Sequence, residues 1–425
     1  MKSRLLRPKF FQSLAITLLV GCLGFWPVVV GVWAKEGHAR AYTLQEIIDL
    51  TLTHNPTIEV GKGLIDQKTG EEQTAHAYPN PEFSVQSGRG KVRDPRGISL
   101  IERYFTLSQP LEWPGLRTAR QQAAEAGIKS AQANFEVVQV NVRARVKRTF
   151  YELLLAQTIA DLASRILSTV TDFEGAVKRR VESGEAPPFE GVKVKVELLQ
   201  TKKQVEEAKG KVRIIKAALD QVTAGHLGEE FAIQGDFQLQ KTNLDEKQLV
   251  EMGLQQHPEI QKFHKLIEVA HAQYDQERHA RVPNVTISGA YQRDAGREGF
   301  VGGLSLPLPL WNQRQGDIAR ALGLRRQAEA NLQQVKNALK RGIAEQVQLS
   351  KTAATQIKTF EQGLLKQAKE AVRIARTSFK FGEASLLDVL DAQRVLWETF
   401  QGYAQARFEL SVALTELERL VGAEL

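Results

Sequence analysis

Residues 381–384 of the chain read Phe-Gly-Glu-Ala, and residues 183–186 read Ser-Gly-Glu-Ala. Three further landmarks recur in the same order at the same offset of about 200 residues. These pairs are His54-Asn55-Pro56 with His257-Pro258, Tyr78-Pro79-Asn80 with Val282-Pro283-Asn284, and Leu107-Ser108-Gln109-Pro110-Leu111 with Leu304-Ser305-Leu306-Pro307-Leu308. Four pairs in one order indicate a duplication, with repeat 1 at 42–225, a linker or equatorial segment at 226–244, and repeat 2 at 245–425.

Both halves predict the same elements in the same order. Two helices, the second begun by a proline, precede a Pro-Asn break, after which the apolar period changes to two and predicts a hairpin of roughly ten-residue strands. Gly and Pro are then sparse up to the two Gly-Glu-Ala turns, which predicts a helix of about 100 Å. A shorter helix with coiled-coil spacing returns from each turn, so it and the second helix are expected to lie end to end beside the long one.

The predicted spans in halves one and two are as follows. Short helices are predicted at Leu44–Thr53 and Asp245–Gln256, second helices at Pro56–Ala77 and Pro258–Arg281, first strands from Phe83 and Val285, turns at Lys91–Gly97 and Arg293–Gly299, returning strands at Leu100–Gln109 and Phe300–Leu306, and long helices at 116–183 and 316–381.

The N-terminus has the order of an export signal. Residues 1–9 carry cations and no acid, and an apolar stretch follows, which predicts a signal peptide at 1–34 with cleavage extending as far as 41. Residues 19–22 also fit a lipobox in which Cys22 is lipidated, and a retained membrane helix is a third interpretation. No later apolar run approaches a membrane-spanning length, so a mature chain that enters a membrane is expected to do so as strands.

The composition excludes several classes of protein. The 425 residues are 42% hydrophobic and 25% charged, which supports a sizeable core. The net charge of +8 comes largely from the N-terminal segment, so a nucleic-acid binder is not expected. Cys22 is the only cysteine, which excludes a disulfide framework and a cysteine-ligated metal site. No nucleophile, metal or phosphate motif is found, and we predict neither an enzyme nor a cofactor.

The strand count predicts an oligomer. Four strands per chain are too few to close a membrane barrel, since the smallest stable barrels have about eight. Open strand edges are not stable in lipid, whereas three copies supply twelve strands and twelve helical rods. The predicted fold class is therefore mainly α with a small β part, in which long helical hairpins form an α-barrel and four strands per chain enter a 12-stranded trimeric β-barrel. The alternative is a soluble antiparallel coiled-coil protein with incidental strand hairpins.

Several motifs resemble those of the TolC-type outer membrane factors. The most specific is residues 381–393, Phe-Gly-Glu-Ala-Ser-Leu-Leu-Asp-Val-Leu-Asp-Ala-Gln, and residues 79–83 and 108–112 flank the first hairpin as in that family. Residues 111–120 and 184–190 are similar to the branch that serves cobalt, zinc, cadmium and copper pumps. The resemblance covers about residues 42–425.

This resemblance implies a passive homotrimeric channel in the outer membrane of a Gram-negative bacterium, in contact with its lipid and extended far into the periplasm. Such a channel docks, through a periplasmic adaptor (membrane fusion) protein, onto an inner-membrane proton-driven pump of the resistance-nodulation-division class. The branch implies heavy-metal cations as the exported substrate.

The resemblance also implies roles for the two helix tips. Adaptor-docking residues would be Gly184, Glu185, Ala186, Gly382, Glu383, Ala384, Ser385 and Leu386, and the carboxylates of a periplasmic constriction would be Asp388 and Asp391. The glycines have a second interpretation as helix C-caps in the left-handed conformation. The aspartates likewise have a second interpretation as acids that favour a helix N-terminus.

Other conspicuous residues have less specific interpretations. His257, His264 and His271 recur every seven residues on one helix, but that spacing separates them by about 10 Å, too far to share a zinc ion. We therefore predict a solvated polar face rather than a metal site. Trp113 and Trp311 follow the prolines after each hairpin, where they either sit at the lipid interface or pack between strands and rods.

Two other functions are also compatible with the sequence. A periplasmic adaptor also has a long helical hairpin and an export signal, although it lacks a duplicated half and membrane-length strands. The same channel fold also serves drug export or type I protein export. The wall of a passive channel does not determine which substrate the pump delivers to it, so the sequence alone does not distinguish these substrates.

Overall fold

The computed structural model describes residues 40–91, 99–238, 245–294 and 297–425. The expected signal peptide at 1–34, the lipobox cysteine Cys22 and nearly all of the first predicted hairpin turn lie outside these ranges. The described residues show the predicted order of elements in both halves, with a short strand added to each.

The first half contains β1 (Arg40–Thr43), α1 (Leu44–His54), α2 (Pro56–His76), β2 (Glu82–Lys91), β3 (Ser99–Leu111), α3 (Pro114–Glu182) and α4 (Pro188–Val222). The second half contains β4 (Phe231–Gln234), α5 (Glu246–Gln256), α6 (Pro258–His279), β5 (Val285–Asp294), β6 (Arg297–Ser305), α7 (Gln315–Thr359), a π-helical segment (Phe360–Leu364), α8 (Leu365–Lys380) and α9 (Leu386–Val421).

Local sequence sets where the short helices begin. Thr43 starts α1 in a capping box, in which its hydroxyl accepts the Glu46 backbone N–H at 3.3 Å and the Glu46 carboxylate accepts the Thr43 N–H at 2.7 Å. Asn55 caps α2, accepting the Thr57 N–H at 2.8 Å, and Pro56 occupies the first turn. The helix starts predicted from His-Asn-Pro and its counterpart are confirmed.

The first rod is the continuous helix α3, whose 69 residues extend about 100 Å. Its first part packs against α2 and its second part against α4, as their lengths predicted. At Gly61 of α2 a Cβ would lie 2.7 Å from the Phe135 ring, and at Gly191 of α4 it would lie 3.7 Å from Val181. Among the described residues α3 is also apolar enough for a membrane span, but it is far longer than the roughly 20 residues that a span needs.

The second rod corrects the prediction of one unbroken helix over 316–381, because π-helical turns separate α7 from α8. The Phe360 ring packs edge-on against Tyr403 at 5.9 Å, above Gly402, where a Cβ would lie 3.0 Å from that ring. The Tyr403 hydroxyl donates to Glu361 at 2.9 Å. These contacts with α9 favour an extra residue in the turn, which helical periodicity in the sequence does not reveal.

The two hairpins form one antiparallel sheet in the order β2-β3-β5-β6. Glu82 lies opposite Ser108 in the first hairpin, and Thr286 lies opposite Ser305 in the second. The second hairpin also corrects the turn predicted at Arg293–Gly299, since β5 runs to Asp294 and β6 begins at Arg297. Cross-strand pairing therefore extends into residues whose composition favours a turn.

The sheet has one apolar and one polar face, as the two-residue period predicted. Exposed apolar side chains lie on one face: Phe83, Val85, Ile101, Phe105, Leu107, Ile287, Phe300 and Leu304. Phe83 is paired with Leu107 and Val85 with Phe105, so these side chains project together from adjacent strands. Ser84 and Thr106 are opposite each other on the other face.

A second, two-stranded sheet joins the halves and was not predicted. Strand β4 lies within the expected linker at 226–244 and pairs in parallel with β1, with Tyr42 opposite Ile233. Both strands have only four residues, too few for a pattern in the sequence to identify. They lie beside a buried cluster that draws on α1, α3, α4 and β4: Ile47, Val146, Phe150, Leu153, Leu219 and Phe231.

An ion pair between α3 and α9 also joins the two halves of the chain. Lys147 of α3 contacts Glu418 of α9 at 2.5 Å, and both side chains are largely buried. The Gln238 amide donates to the same carboxylate at 3.4 Å. The Tyr151 hydroxyl donates to Gln238 at 3.5 Å, and burial together with the Glu418 charge raises the pKa of Tyr151 to about 12.

Candidate functional site

The candidate site is the pair of tips where each rod turns back. At the first tip Gly184 has φ of 76° and its N–H donates to Val181 O at 3.1 Å, while Glu185 N–H donates to Arg180 O at 2.8 Å. Gly382 and Glu383 repeat both bonds at the second tip, with φ of 77° at Gly382. Both turns are Schellman motifs, in which glycine supplies the left-handed residue. The C-cap interpretation of both glycines is confirmed.

The predicted docking residues divide into exposed and buried groups. Ala186 and Leu386 are buried, and Ala384 is half-buried. The others are exposed: Gly184, Glu185, Gly382, Glu383 and Ser385. A Cβ built on either glycine would meet no atom within 4 Å, so the backbone of both turns is open to close approach. Each tip therefore presents an acid and a bare backbone turn.

An apolar cluster holds the two tips together. Its buried members come from both halves: Phe173, Val177, Val194, Phe379, Leu386 and Val389. Phe173 and Phe379 meet edge-on with ring centroids 5.1 Å apart. Because α3 and α8 share this cluster, the tips are positioned as one unit.

Arg180 is a tip residue that sequence reasoning missed. Its guanidinium lies 4.8 Å above the Phe379 ring and donates to the Phe379 carbonyl at 3.2 Å. Its position four residues before Gly184 gave no signal, since cations are common in the last turn of a helix.

A groove of about 920 Å³ runs between α3 and α8 beside the tips. It is lined by cations around an aromatic floor: Arg179, Arg180, Arg376, Lys380, Phe173 and Phe379. Burial lowers the pKa of Arg376, and the charge of Asp172 in the groove opposes that shift. The guanidinium nevertheless keeps its charge. The groove is therefore positive on balance, because its four cations outnumber the two acids that also line it, Asp172 and Glu185.

The two aspartates of the predicted constriction have different local partners. The Asp388 carboxylate accepts the Ser385 hydroxyl at 2.7 Å and the Ser385 N–H at 2.8 Å, completing the capping box of α9. Those hydrogen bonds lower the pKa of Asp388. Asp391 accepts from Arg394 at 2.6 Å, and both side chains are exposed. Within one chain Asp388 thus stabilises the start of α9, whereas Asp391 lies on the surface.

His257, His264 and His271 do not share one solvated face, which corrects the prediction for His257. His257 is buried and caps α6, with Nδ1 accepting the Glu259 N–H at 3.1 Å. His264 and His271 are exposed, and His271 pairs with Asp275 at 3.0 Å. Among the described residues no group of three or more His, Cys, Asp or Glu side chains is arranged to hold a metal ion.

The tryptophans after the hairpins differ in exposure. Trp113 is 46% exposed, and its backbone N–H donates to the Asn284 side chain at 3.1 Å. Trp311, which follows the prolines of the second half, is 87% exposed. The second half of the chain therefore covers the segment that follows the first hairpin, whereas the segment that follows the second hairpin is exposed.

Two helical hairpins about 100 Å long, each with a strand hairpin of membrane-spanning length at one end, define the class of outer-membrane channels with a long helical extension. The chain belongs to the outer membrane efflux protein family, whose model matches residues 47–225 and 249–423. It is accordingly an outer-membrane protein of the TolC type. The family is one of channels rather than of enzymes.

Similarity to individual proteins agrees with this assignment. The chain is 27% identical to the cobalt-zinc-cadmium resistance protein CzcC of Cupriavidus metallidurans, over 93% of each chain. It is 24% identical to the toluene efflux pump outer membrane protein TtgC of Pseudomonas putida, over 92% of this chain and 84% of that one. A crystal structure of CusC superposes with a TM-score of 0.77 at 17% identity, covering 89% of this chain and 92% of that one, which shows the same fold.

Proposed function

We propose that the chain is the outer-membrane duct of a tripartite efflux system. It would receive its substrate from an inner-membrane pump of the resistance-nodulation-division class through a periplasmic adaptor, and would conduct it passively to the exterior. The observation that carries this proposal is the four-stranded sheet, which has an apolar face and ends in two strands, β2 and β6, with no further partner in the described sheet.

The sheet argues for three copies. Each edge strand has a row of unpaired backbone N–H and C=O groups, and the hydrocarbon of the membrane supplies no hydrogen-bond partners for them. A closed 12-stranded barrel pairs all of these groups and places Phe83, Phe105 and Leu107 against lipid. The rods attached to the strands then form the wall of a periplasmic tube, with the tips at its far end.

The tips are the proposed contact with the adaptor. Their open left-handed turns allow the backbone of a partner to approach closely, and Arg180 with the apolar cluster fixes one turn against the other. At the same end, the three-fold axis of a trimer would repeat Asp388 and Asp391 into a ring of six carboxylates. A ring of acids attracts multivalent cations, so we propose a cation-selective constriction there.

The proposed substrate is a heavy-metal cation. The support is the relative CzcC, which is more similar to this chain than TtgC and is named for cobalt, zinc and cadmium resistance. Export of organic solvents or drugs is the second candidate, supported by the likeness to TtgC.

The assembly is tested by native mass measurement of protein extracted from membranes in detergent. Three chains per particle are expected, and a stable water-soluble monomer would contradict the channel. The cargo is tested by deleting the gene and measuring tolerance to cobalt, zinc, cadmium and toluene in parallel. Lost tolerance to the metals alone supports the metal branch, while lost tolerance to toluene alone supports the solvent branch.

A further inference from the structure

The two edge strands of the sheet carry enough information to specify how one copy meets the next. We propose that β6 of one chain pairs with β2 of a second copy in the register of the internal β3–β5 pair, with Ser305 opposite Ser84 of the partner subunit. This inference rests on the proposed trimer and specifies its interface.

The internal repeat is accurate to the residue within the sheet. Glu82 lies two residues after Asn80, and Thr286 lies two residues after Asn284. The residues opposite them, Ser108 and Ser305, each lie two residues before a proline. The two hairpins therefore have the same register relative to the sequence landmarks, and the remaining contact between halves is a valid template.

That remaining contact is the pairing of β3 with β5, where the first half meets the second. Ser108 lies opposite Ser288, four residues after Asn284. The equivalent of Ser108 is Ser305, and the equivalent of Ser288 is Ser84, four residues after Asn80. Strand directions alternate through β2-β3-β5-β6, so a partner β2 beside β6 is again antiparallel.

The residues that directly follow β6 have no strand partner in the described sheet, whereas their counterparts at the end of β3 are paired. Strand β3 continues to Leu111 because β5 pairs with it there, opposite Val285. Strand β6 stops at Ser305, and the counterpart residues 306–308 are exposed. A partner β2 in the proposed register would extend β6 through Leu308, as β5 extends β3.

A backbone-to-side-chain contact supports the same alignment. The Trp113 N–H donates to the Asn284 side chain at the junction of sheet and rods. Leu310, three residues after Pro307 as Trp113 is three residues after Pro110, and Asn80 are the counterparts, and both are exposed in the single chain. In the proposed register the backbone of Leu310 lies beside the side chain of Asn80 of the partner subunit, and the contact covers both residues.

Other registers conflict with the rest of the fold. A slip by one residue turns the apolar side chains of β6 to the polar face of the partner. A slip by two residues keeps the faces but displaces the attached rods by about 7 Å and separates Leu310 from Asn80 of the partner subunit. The interface is heterologous, joining unlike surfaces of the two copies, and it forms a closed ring in the proposed trimer because the third copy pairs with the first.

Disulfide trapping tests the register. Ser84→Cys with Ser305→Cys places one thiol on each edge, and Gln86→Cys with Ser305→Cys is the control for a two-residue slip on the same face. Ser108→Cys with Ser288→Cys is the matched pair within one chain, since it occupies the equivalent positions. The proteins are oxidised in native membranes and separated on non-reducing denaturing gels, and single-cysteine variants measure any background from Cys22.

We expect the Ser84/Ser305 variant to give covalent dimers and trimers, at least about tenfold more than the Gln86/Ser305 control, because a diagonal pair places the Cβ atoms too far apart. The Ser108/Ser288 variant should oxidise within one chain and remain monomeric on the gel. Stronger cross-linking of the control pair, or none for Ser84/Ser305 when Ser108/Ser288 oxidises, would overturn the register. Native mass measurement on the same samples separates failure of the register from failure of the trimer. Three chains per particle without the expected cross-link would refute the register and leave the proposed channel in place.

Discussion

The buried cap His257 predicts a loss of stability in mild acid. Its Nδ1 accepts the Glu259 N–H at the start of α6, so protonation of that nitrogen breaks the cap. Burial, with a contribution from the Arg419 charge, lowers the pKa of His257 to about 4. The counterpart cap in the first half is Asn55, which makes the equivalent bond to Thr57 without titrating. His257→Asn therefore tests the titration while it preserves the cap.

The sign and size of the effect follow from the pKa of His257 in the two states. The unfolded chain binds a proton near pH 6.5, whereas the folded chain does so only near pH 4. The stabilisation is therefore complete above pH 6.5 and is lost as the pH falls from 6.5 to 4. A shift of that size corresponds to about 3 kcal/mol in total, of which about 2 kcal/mol is lost by pH 5.

The assay compares the free energy of unfolding of wild type and His257→Asn in detergent with urea at pH 7.5, 6 and 5. We expect near-equal stability at pH 7.5 and a decrease of about 2 kcal/mol per chain for wild type alone at pH 5. Exchange of the imidazole C2 hydrogen, followed by mass spectrometry, reports the pKa of His257 directly. Equal acid sensitivity in both proteins, or a measured pKa above 6, would refute the reasoning.

Three further predictions concern the tips and the junction of the halves. Gly382→Val strains the left-handed turn by about 1–2 kcal/mol and blocks close approach, so it should abolish efflux in a metal-tolerance assay with the trimer intact, whereas Gly382→Asn, which tolerates that conformation, should keep it. Asp388→Asn with Asp391→Asn should weaken block of single-channel current by divalent or trivalent cations from the periplasmic side at low salt, and unchanged block would leave Asp388 as the cap of α9 and Asp391 as a surface partner of Arg394. Lys147→Met leaves the buried Glu418 carboxylate without its cation and should lower the free energy of unfolding by about 3–5 kcal/mol, with most of it recovered in Lys147→Met/Glu418→Leu; a single variant as stable as wild type would contradict this.

Much of the secondary structure was predictable because it depends on residues close in sequence. Pro56 and its counterpart Pro258 start helices, and Gly184 and Gly382 end them, by rules that act within one turn. The two-residue period after each Pro-Asn break predicted the strands and their faces. The error at residues 316–381 has the same explanation, because the π-helical turn depends on Phe360 packing against Tyr403 of another helix.

The sequence by itself determined the duplication, the rods, the hairpins and the positions of the two tips, since each is set by local conformational preference and apolar period. Only the tertiary structure decided which groups meet across the chain. The pairing of β1 with β4, the contact of Arg180 with Phe379 and the burial of His257 all join residues far apart in sequence. Such contacts depend on how separate elements pack, and burial then changes the properties of the groups involved, as the lowered pKa of His257 illustrates.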